Sequence, residues 1–390
     1  MRIVLNTKTA QHLGTWRLFF ANLAEDLQQQ GAEVALNTWE GLEHFDVAIV
    51  KASDRTIATL RQHNPHLLIG LVHPSDIDAA VLHETVSADF IISGSLEERD
   101  YYLQYQRHIF LLPHIERPPQ GYKQHSEHSP IVLGYHGNRH HLEQFEGRLS
   151  PALEALAQRY PLRLKAVYNM AHVGRWQAGR PNIPIDDVQW DYATLEQELL
   201  ECDIGLVPAL TPISDTERRR VLDRVLGMDF ARYGKFPNDY LLRFKNSTNA
   251  GRAFVFMQLG IPVVADMTPE CCQIVQQGRT GFVAQSAAGW HDALERLIVS
   301  ATLRQHLAEN AADLFATLYN RQAYVAQLLA GMTDLLAAKR SGTFQHVPPV
   351  PRTLLPPAHL PSRHPAAQRL HSLQQKVGGV VRRVRSIKRK

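Results

Sequence analysis

Along the first 113 residues, short apolar runs alternate with stretches in which apolar side chains recur every three or four positions. Ile3, Val4 and Leu5 form the first run. After a Gly14-Thr15 turn, Leu18, Phe19, Leu23 and Leu27 fall on one face of a predicted helix, and Gly31 stops it. Further strands are predicted over 34–36, 46–50, 67–72, 89–93 and 109–112. Short separations between parallel-type strands suit right-handed βαβ crossovers, so the pattern predicts a parallel α/β sheet.

From 114 to 130 the chain turns polar, with Pro118, Pro119 and several His and Gln residues, and reads as an interdomain linker. Alternation resumes at Ile131. A helix is expected from about 141 to 160, strands over 162–167, 188–190 and 204–207, and a closing helical region from 290 to 339. The predicted organisation is a Rossmann-like domain over 1–113, the linker over 114–130, a second Rossmann-like domain with closing helices over 131–340, and a tail over 341–390. Seven prolines between Pro348 and Pro365 exclude a packed helix or sheet from the tail, which is expected to be disordered.

Composition changes this picture in one respect. The net charge of +4 divides unevenly: residues 341–390 hold ten Lys and Arg and no Asp or Glu, which leaves 32 basic against 38 acidic side chains in the body. The basicity belongs to the tail, whose last fifteen residues, KVGGVVRRVRSIKRK, form a candidate docking segment for an anionic membrane surface. No specific nucleic-acid partner is expected. Three cysteines, two of them adjacent (Cys271 and Cys272), offer neither a disulfide framework nor a zinc spacing, and suit a reducing cytoplasm. MRIVLN runs straight into a strand, so no signal peptide is predicted, and the 253–265 apolar stretch is too short to span a bilayer. The expected location is cytoplasmic, with the tail as a route to the inner face of the membrane.

Residues 245–284, KNSTNAGRAFVFMQLGIPVVADMTPECCQIVQQGRTGFVA, carry the most specific chemistry. Lys245 precedes a Ser247-Thr248-Asn249 helix start, and Arg252 follows within one turn. Free N–H groups and the dipole at a helix N-terminus, beside a cation, make an anion site. Lys245 supplies a point charge and Arg252 a fork. A buried strand follows at 261–265, then a second helix start at Thr268-Pro269-Glu270. The plain alternative is a surface helix cap with solvated charges.

This segment resembles the donor-binding half of GT-B glycosyltransferases, particularly the retaining family four. There a pattern of the form K-x-S-x-N, ALGIPVVA, IV-x-x-G-x-x-GF holds a nucleotide diphosphate-sugar. The resemblance implies two Rossmann-like domains facing each other across a cleft, with the first half on the acceptor side. It also implies transfer of a sugar from a nucleotide diphosphate donor to an acceptor hydroxyl with retention of configuration. That activity suits glycan assembly at the cell envelope, the acceptor being a glycan, a lipid-linked sugar or a small molecule. Many relatives place two Glu residues across this segment, eight positions apart; the corresponding residues here are Ser247 and Val255. Asp215 or Glu217, in the long charged segment before Lys245, and Glu270 are candidate replacements.

On this reading Lys245 and Arg252 stabilise the leaving diphosphate, with Ser247, Thr248 and Asn249 positioning it. Glycines at a strand-to-helix turn let a phosphate approach the backbone, so His136, Gly137, Asn138 and Arg139 are further donor contacts, or else an ordinary Gly-Asn turn. Gly14 marks the matching turn of the first half. His73, at the end of a predicted strand, is the candidate contact to the transferred sugar. Asp76-Ile77-Asp78 matches an Asp-x-Asp metal motif by letters but opens a predicted helix, where Asp is favoured by the dipole. No metal and no cofactor beyond the sugar-nucleotide co-substrate are expected. The alternatives are a GT-B-like binding or assembly protein without turnover, and a sugar-nucleotide epimerase of the same two-domain plan.

Overall fold

The structure, a computed structural model, describes residues 1–11, 13–54, 56–72, 79–209 and 250–345. The tail beyond residue 345 lies outside them. Two six-stranded sheets organise the chain. The first contains β1 (Arg2–Asn6), β2 (Glu33–Leu36), β3 (Val47–Lys51), β4 (Leu68–Val72), β5 (Phe90–Ser93) and β6 (Ile109–Leu111), in the order β2-β1-β3-β4-β5-β6. The second contains β7 (Ile131–Gly137), β8 (Leu162–Tyr168), β9 (Ile185–Gln189), β10 (Ile204–Val207), β11 (Val263–Asp266) and β12 (Gly281–Ala284), in the order β12-β11-β10-β7-β8-β9. Every pairing is parallel, as the crossover spacing predicts; Ile3, for example, lies opposite both Val34 and Val47.

Inner strands such as β3, β4 and β10 are apolar runs because both sheet faces are covered, whereas β8 carries Arg163 and Lys165. Val4 packs with Leu42, Val50 and Leu60 on one face of the first sheet, while Ile3 and Leu5 pack with Phe19 and Leu23 on the other. In the second sheet, Leu133 and Tyr135 meet Phe145, Leu153 and Trp290 on one side. Val167, Val207 and Val263 meet Phe254 and Phe256 on the opposite side. The order in which strands are added reverses between β1 and β3 and again between β7 and β10, and such switch points leave a crevice at the strands' carboxyl ends.

Three expectations are revised. The helix predicted from about 141 begins only at Leu149 and runs to Ala157; before it the chain makes two short 3-10 turns, Arg139–His141 and Glu143–Phe145. The polar 114–130 stretch is not a loose tether. Lys123 N–H donates to Leu259 O at 2.8 Å, His125 Nε2 contacts Gly260 O at 2.9 Å, and His128 pairs with Asp203 at 2.9 Å, all on the second half. Finally, the closing helices divide. Ala287–Ile298 and Ala301–Thr317 pack on the second half, but Arg321–Arg340 returns to the first, inserting Val325, Leu328, Met332 and Leu336 among the residues around Ile3 and Phe19. Arg321 locks this return, with Nε to Asp26 at 2.6 Å, Nη1 to Ile115 O and Nη2 to Leu18 O, both at 3.0 Å.

Candidate active site

β7 ends at Gly137 with φ +134°, a conformation that side chains other than glycine's rarely adopt. A Cβ there would come within 2.9 Å of Arg252 Cδ, so the missing side chain also lets Arg252 lie over the turn. Arg252 sits in the first turn of the Gly251–Gln258 helix, which the burial of Ala253, Phe254, Phe256 and Met257 holds against β10 and β11. Its Nη2 donates to Pro208 O at 2.5 Å, and its guanidinium lies 5.7 Å from the centre of the Tyr135 ring. Nη1 is buried with no hydrogen-bond partner among the described residues.

His136 is buried beside it. Its Nε2 meets Arg252 O at 3.2 Å and its ring packs edge-on against Phe256 at 5.0 Å. Burial pushes the imidazole down to about 3, with the Arg252 and Arg17 charges acting in the same direction. The ring is therefore neutral at pH 7, and its Nε2 donates to the Arg252 carbonyl. Pro208 is held in turn by Asp266 at the end of β11, whose Oδ2 accepts from Ala209 N–H at 2.7 Å. Asp266 is fully buried and pairs with both guanidinium nitrogens of Arg148, at 2.5 and 3.0 Å, and with Trp290 Nε1 at 3.2 Å.

His136 and Arg252 close one side of a cavity of about 340 Å³ between the switch points of the two sheets. Gly14, Thr15 and Arg17 form the first-half wall, Glu116 comes from the crossing segment, and Trp190 and Val255 complete the second-half wall. Leu13 rather than Thr15 caps the first helix, without a side-chain bond. The helix then contains a π-helical turn, Arg17–Ala21, a distortion frequent at functional sites.

Of the residues singled out from the sequence, Gly14, His136 and Arg252 therefore line one cavity, with Gly137 directly beneath Arg252. Asn138 is exposed, its carbonyl accepting from the Tyr135 hydroxyl at 2.6 Å. Arg139 turns away, donating to Val173 O and lying 3.9 Å from Glu143. Glu270, in the first turn of the Pro269–Ile274 helix, lines a separate cavity of about 100 Å³ with Gly94, Ser95 and Tyr319. Thr268 caps that helix through Cys271 N–H, as its Thr-Pro-Glu start predicts. Burial and the nearby Glu98 and Glu97 charges raise the Glu270 carboxyl well above its usual range, against the lowering effect of the Ala250 N–H bond. His73, Asp76, Asp78, Asp215, Glu217, Lys245, Ser247, Thr248 and Asn249 lie outside the described residues. Glu116, Trp190 and the Arg148–Asp266 pair escaped the sequence reading as site residues, and Arg17 entered it only as the last residue of the Gly14-Thr15-Trp16-Arg17 turn.

No family model matches the chain, and no curated protein matches it in sequence. Among solved structures it is similar to sucrose-phosphate synthase from Thermosynechococcus elongatus, at 14% identity and TM-score 0.59 over 87% of this chain and 100% of that one. A glycosyltransferase from Rickettsia africae superposes with TM-score 0.57 at 10% identity, over 85% and 97% of the two chains. HepE of Anabaena, in complex with UDP, gives 0.54 at 12% over 86% and 100%. The fold is GT-B: two Rossmann-like domains, each with a parallel six-stranded sheet.

Proposed function

We propose that this protein is a nucleotide-sugar-dependent glycosyltransferase that moves a sugar from a nucleotide diphosphate donor to an acceptor hydroxyl, with retention of configuration, in glycan assembly. The observation that carries the reading is the buried Nη1 of Arg252, without a partner among the described residues, beside Gly137 and a neutral His136 in the cavity between the two switch points. A buried cationic donor without an acceptor is a site awaiting an anion. Departure of a nucleotide diphosphate places negative charge there, and a fixed guanidinium in a water-poor site lowers the barrier to it. The helix opens at Gly251 with Ala250 as its cap, not at the expected Ser247-Thr248-Asn249 start. Lys245, Ser247, Thr248 and Asn249, three to seven residues before Arg252 in sequence, would add a second cation and further donors to the same anion. The solved structure of HepE, which shares the fold, contains UDP. Val255 lines the cavity where many family-four relatives carry a carboxylate, so another residue must hold the ribose or sugar in this chain. We assign residues 376–390, with seven Lys and Arg, to docking on anionic lipid, each contributing on the order of 1 kcal/mol.

Calorimetry with UDP, GDP and ADP, followed by turnover of the matching sugar donors, tests the proposal. One diphosphate is expected to bind at micromolar affinity, about −8 kcal/mol, and to weaken in Lys245→Ala. Binding without turnover on any envelope acceptor would favour the non-catalytic alternative, and conversion of donor without acceptor would favour the epimerase. No binding by folded protein would sink the transferase reading and promote the non-catalytic one.

A further inference from the structure

We infer that Arg17 is the first half's own contact to the donor diphosphate, and that Glu116 holds its place until the donor arrives. The inference rests on the donor reading above and adds a residue and a switch to it. Arg17 opens the π-helical turn and points into the cavity that Arg252 and His136 line from the other half. Its Nε donates to Glu116 Oε2 at 3.3 Å and its Nη2 to Glu116 Oε1, a two-pronged pairing. The guanidinium also lies 4.1 Å from the centre of the Tyr192 ring, on the second half. Arg17 and Glu116 are each only 14% exposed.

Two guanidiniums, one from each half, thus face one cavity: Arg17 has a carboxylate, while Arg252 Nη1 has no partner among the described residues. A carboxylate presents two oxygens to the guanidinium fork much as a phosphate edge does. Glu116 is held from the second half, because its N–H donates to Gln258 Oε1 at 3.2 Å and its carbonyl accepts from Gln258 Nε2 at 3.0 Å. Gln258 closes the same helix that Arg252 opens. The Glu116 backbone is thus tied to the helix that Arg252 opens, while its neighbours Ile115 and Arg117 are tied to the first half through Arg321 and Glu25, so the residue sits where contacts from both halves meet. A diphosphate bound at Arg252 competes with Glu116 for Arg17, and the exchange ties one ligand to both halves. Before binding, the pairing keeps Arg17 neutralised and the cavity closed to stray anions.

The test is calorimetry with UDP and with pyrophosphate on wild type, Arg17→Ala, Glu116→Gln and the double variant. Loss of a charge-assisted contact is expected to weaken UDP by roughly ten- to a hundred-fold in Arg17→Ala. Glu116→Gln, which leaves both backbone bonds to Gln258 intact, is expected to tighten UDP and pyrophosphate by about three- to ten-fold, and most of that gain is expected to vanish in the double variant. Arg17→Ala within about two-fold of wild type would overturn the inference, the pair then being structural. So would a Glu116→Gln gain that persists in full without Arg17, because the carboxylate would then act only as a local repulsive charge. Either result leaves the donor reading standing, whereas no binding by wild type or Glu116→Gln would sink both.

Discussion

Replacing Arg252 by Ala separates a ligand-binding role from a structural one, because the two predict effects of opposite size. Among the described residues Arg252 Nη2 donates to Pro208 O at 2.5 Å, and the guanidinium lies against Tyr135, with which it also interacts electrostatically. That bond is worth about 1.5–3 kcal/mol, but the buried Nη1 without a described partner costs about 1–3 kcal/mol, so the two largely offset and truncation should change stability by no more than about 2 kcal/mol. With a diphosphate bound, Nη1 gains an anionic acceptor and its desolvation cost is offset. Removing it should cost about 2–3 kcal/mol of binding, or roughly thirty- to a hundred-and-fifty-fold in Kd. Arg252→Lys keeps the charge but not the fork that reaches Pro208 and the ligand together, and should fall between. Titration calorimetry with UDP, beside urea unfolding of each variant, gives both numbers. Unfolding weakened by 3 kcal/mol or more with unchanged UDP affinity would refute the reasoning and make Arg252 a helix anchor.

Gly137→Ala forces a side chain into a φ of +134° and toward Arg252, and should lower stability by about 1–3 kcal/mol and weaken UDP as well; unchanged thermal unfolding and affinity would contradict it. Asp266→Ala removes the carboxylate that Arg148, Trp290 and Ala209 share, and should cost about 3–5 kcal/mol in urea unfolding, against under 1 kcal/mol for a surface substitution such as Glu43→Ala. Glu270 is buried with a raised carboxyl, so the folded state keeps its proton above the unfolded value near 4.5. Its stabilising effect is full below that pH and is lost as pH rises through the folded value, by at most about 1.4 kcal/mol per unit. Glu270→Gln should therefore gain stability over wild type from pH 5 to 8, and parallel melting curves across that range would rule this out. His136, pushed down to about 3, has the opposite dependence: its contribution is complete above about 6.5 and is lost as pH falls toward 3, a slope that His136→Gln should reduce in acid unfolding.

What local chemistry encodes was legible in the chain. Most of the strands follow from apolar runs that parallel pairing buries on both faces, and Gly31 (φ +87°) and Thr268 mark helix ends by rules that act within a few residues. Gly14, His136, Gly137 and Arg252 could be singled out for the same reason, since each lies in the last residues of a strand or the first turn of a helix. Partner choice was not legible. An apolar stripe such as Val325, Leu328 and Met332 states that a helix must be buried, not which sheet will bury it. Only the tertiary structure sends that helix back to the first half, where Arg321 finds Asp26. In the same way, hydrogen bonds to residues more than seventy positions away turn a polar, proline-bearing stretch into a fixed strap. The pairing of Arg17 with Glu116 across 99 residues and the Arg252 nitrogen without a partner among the described residues belong to this second class. By itself the sequence determined the elements and the chemistry available at their ends, because propensity, capping and periodicity are short-range. Which charges meet and which are left unmet was decided by folding, because that depends on distances that exist only once the two sheets have formed.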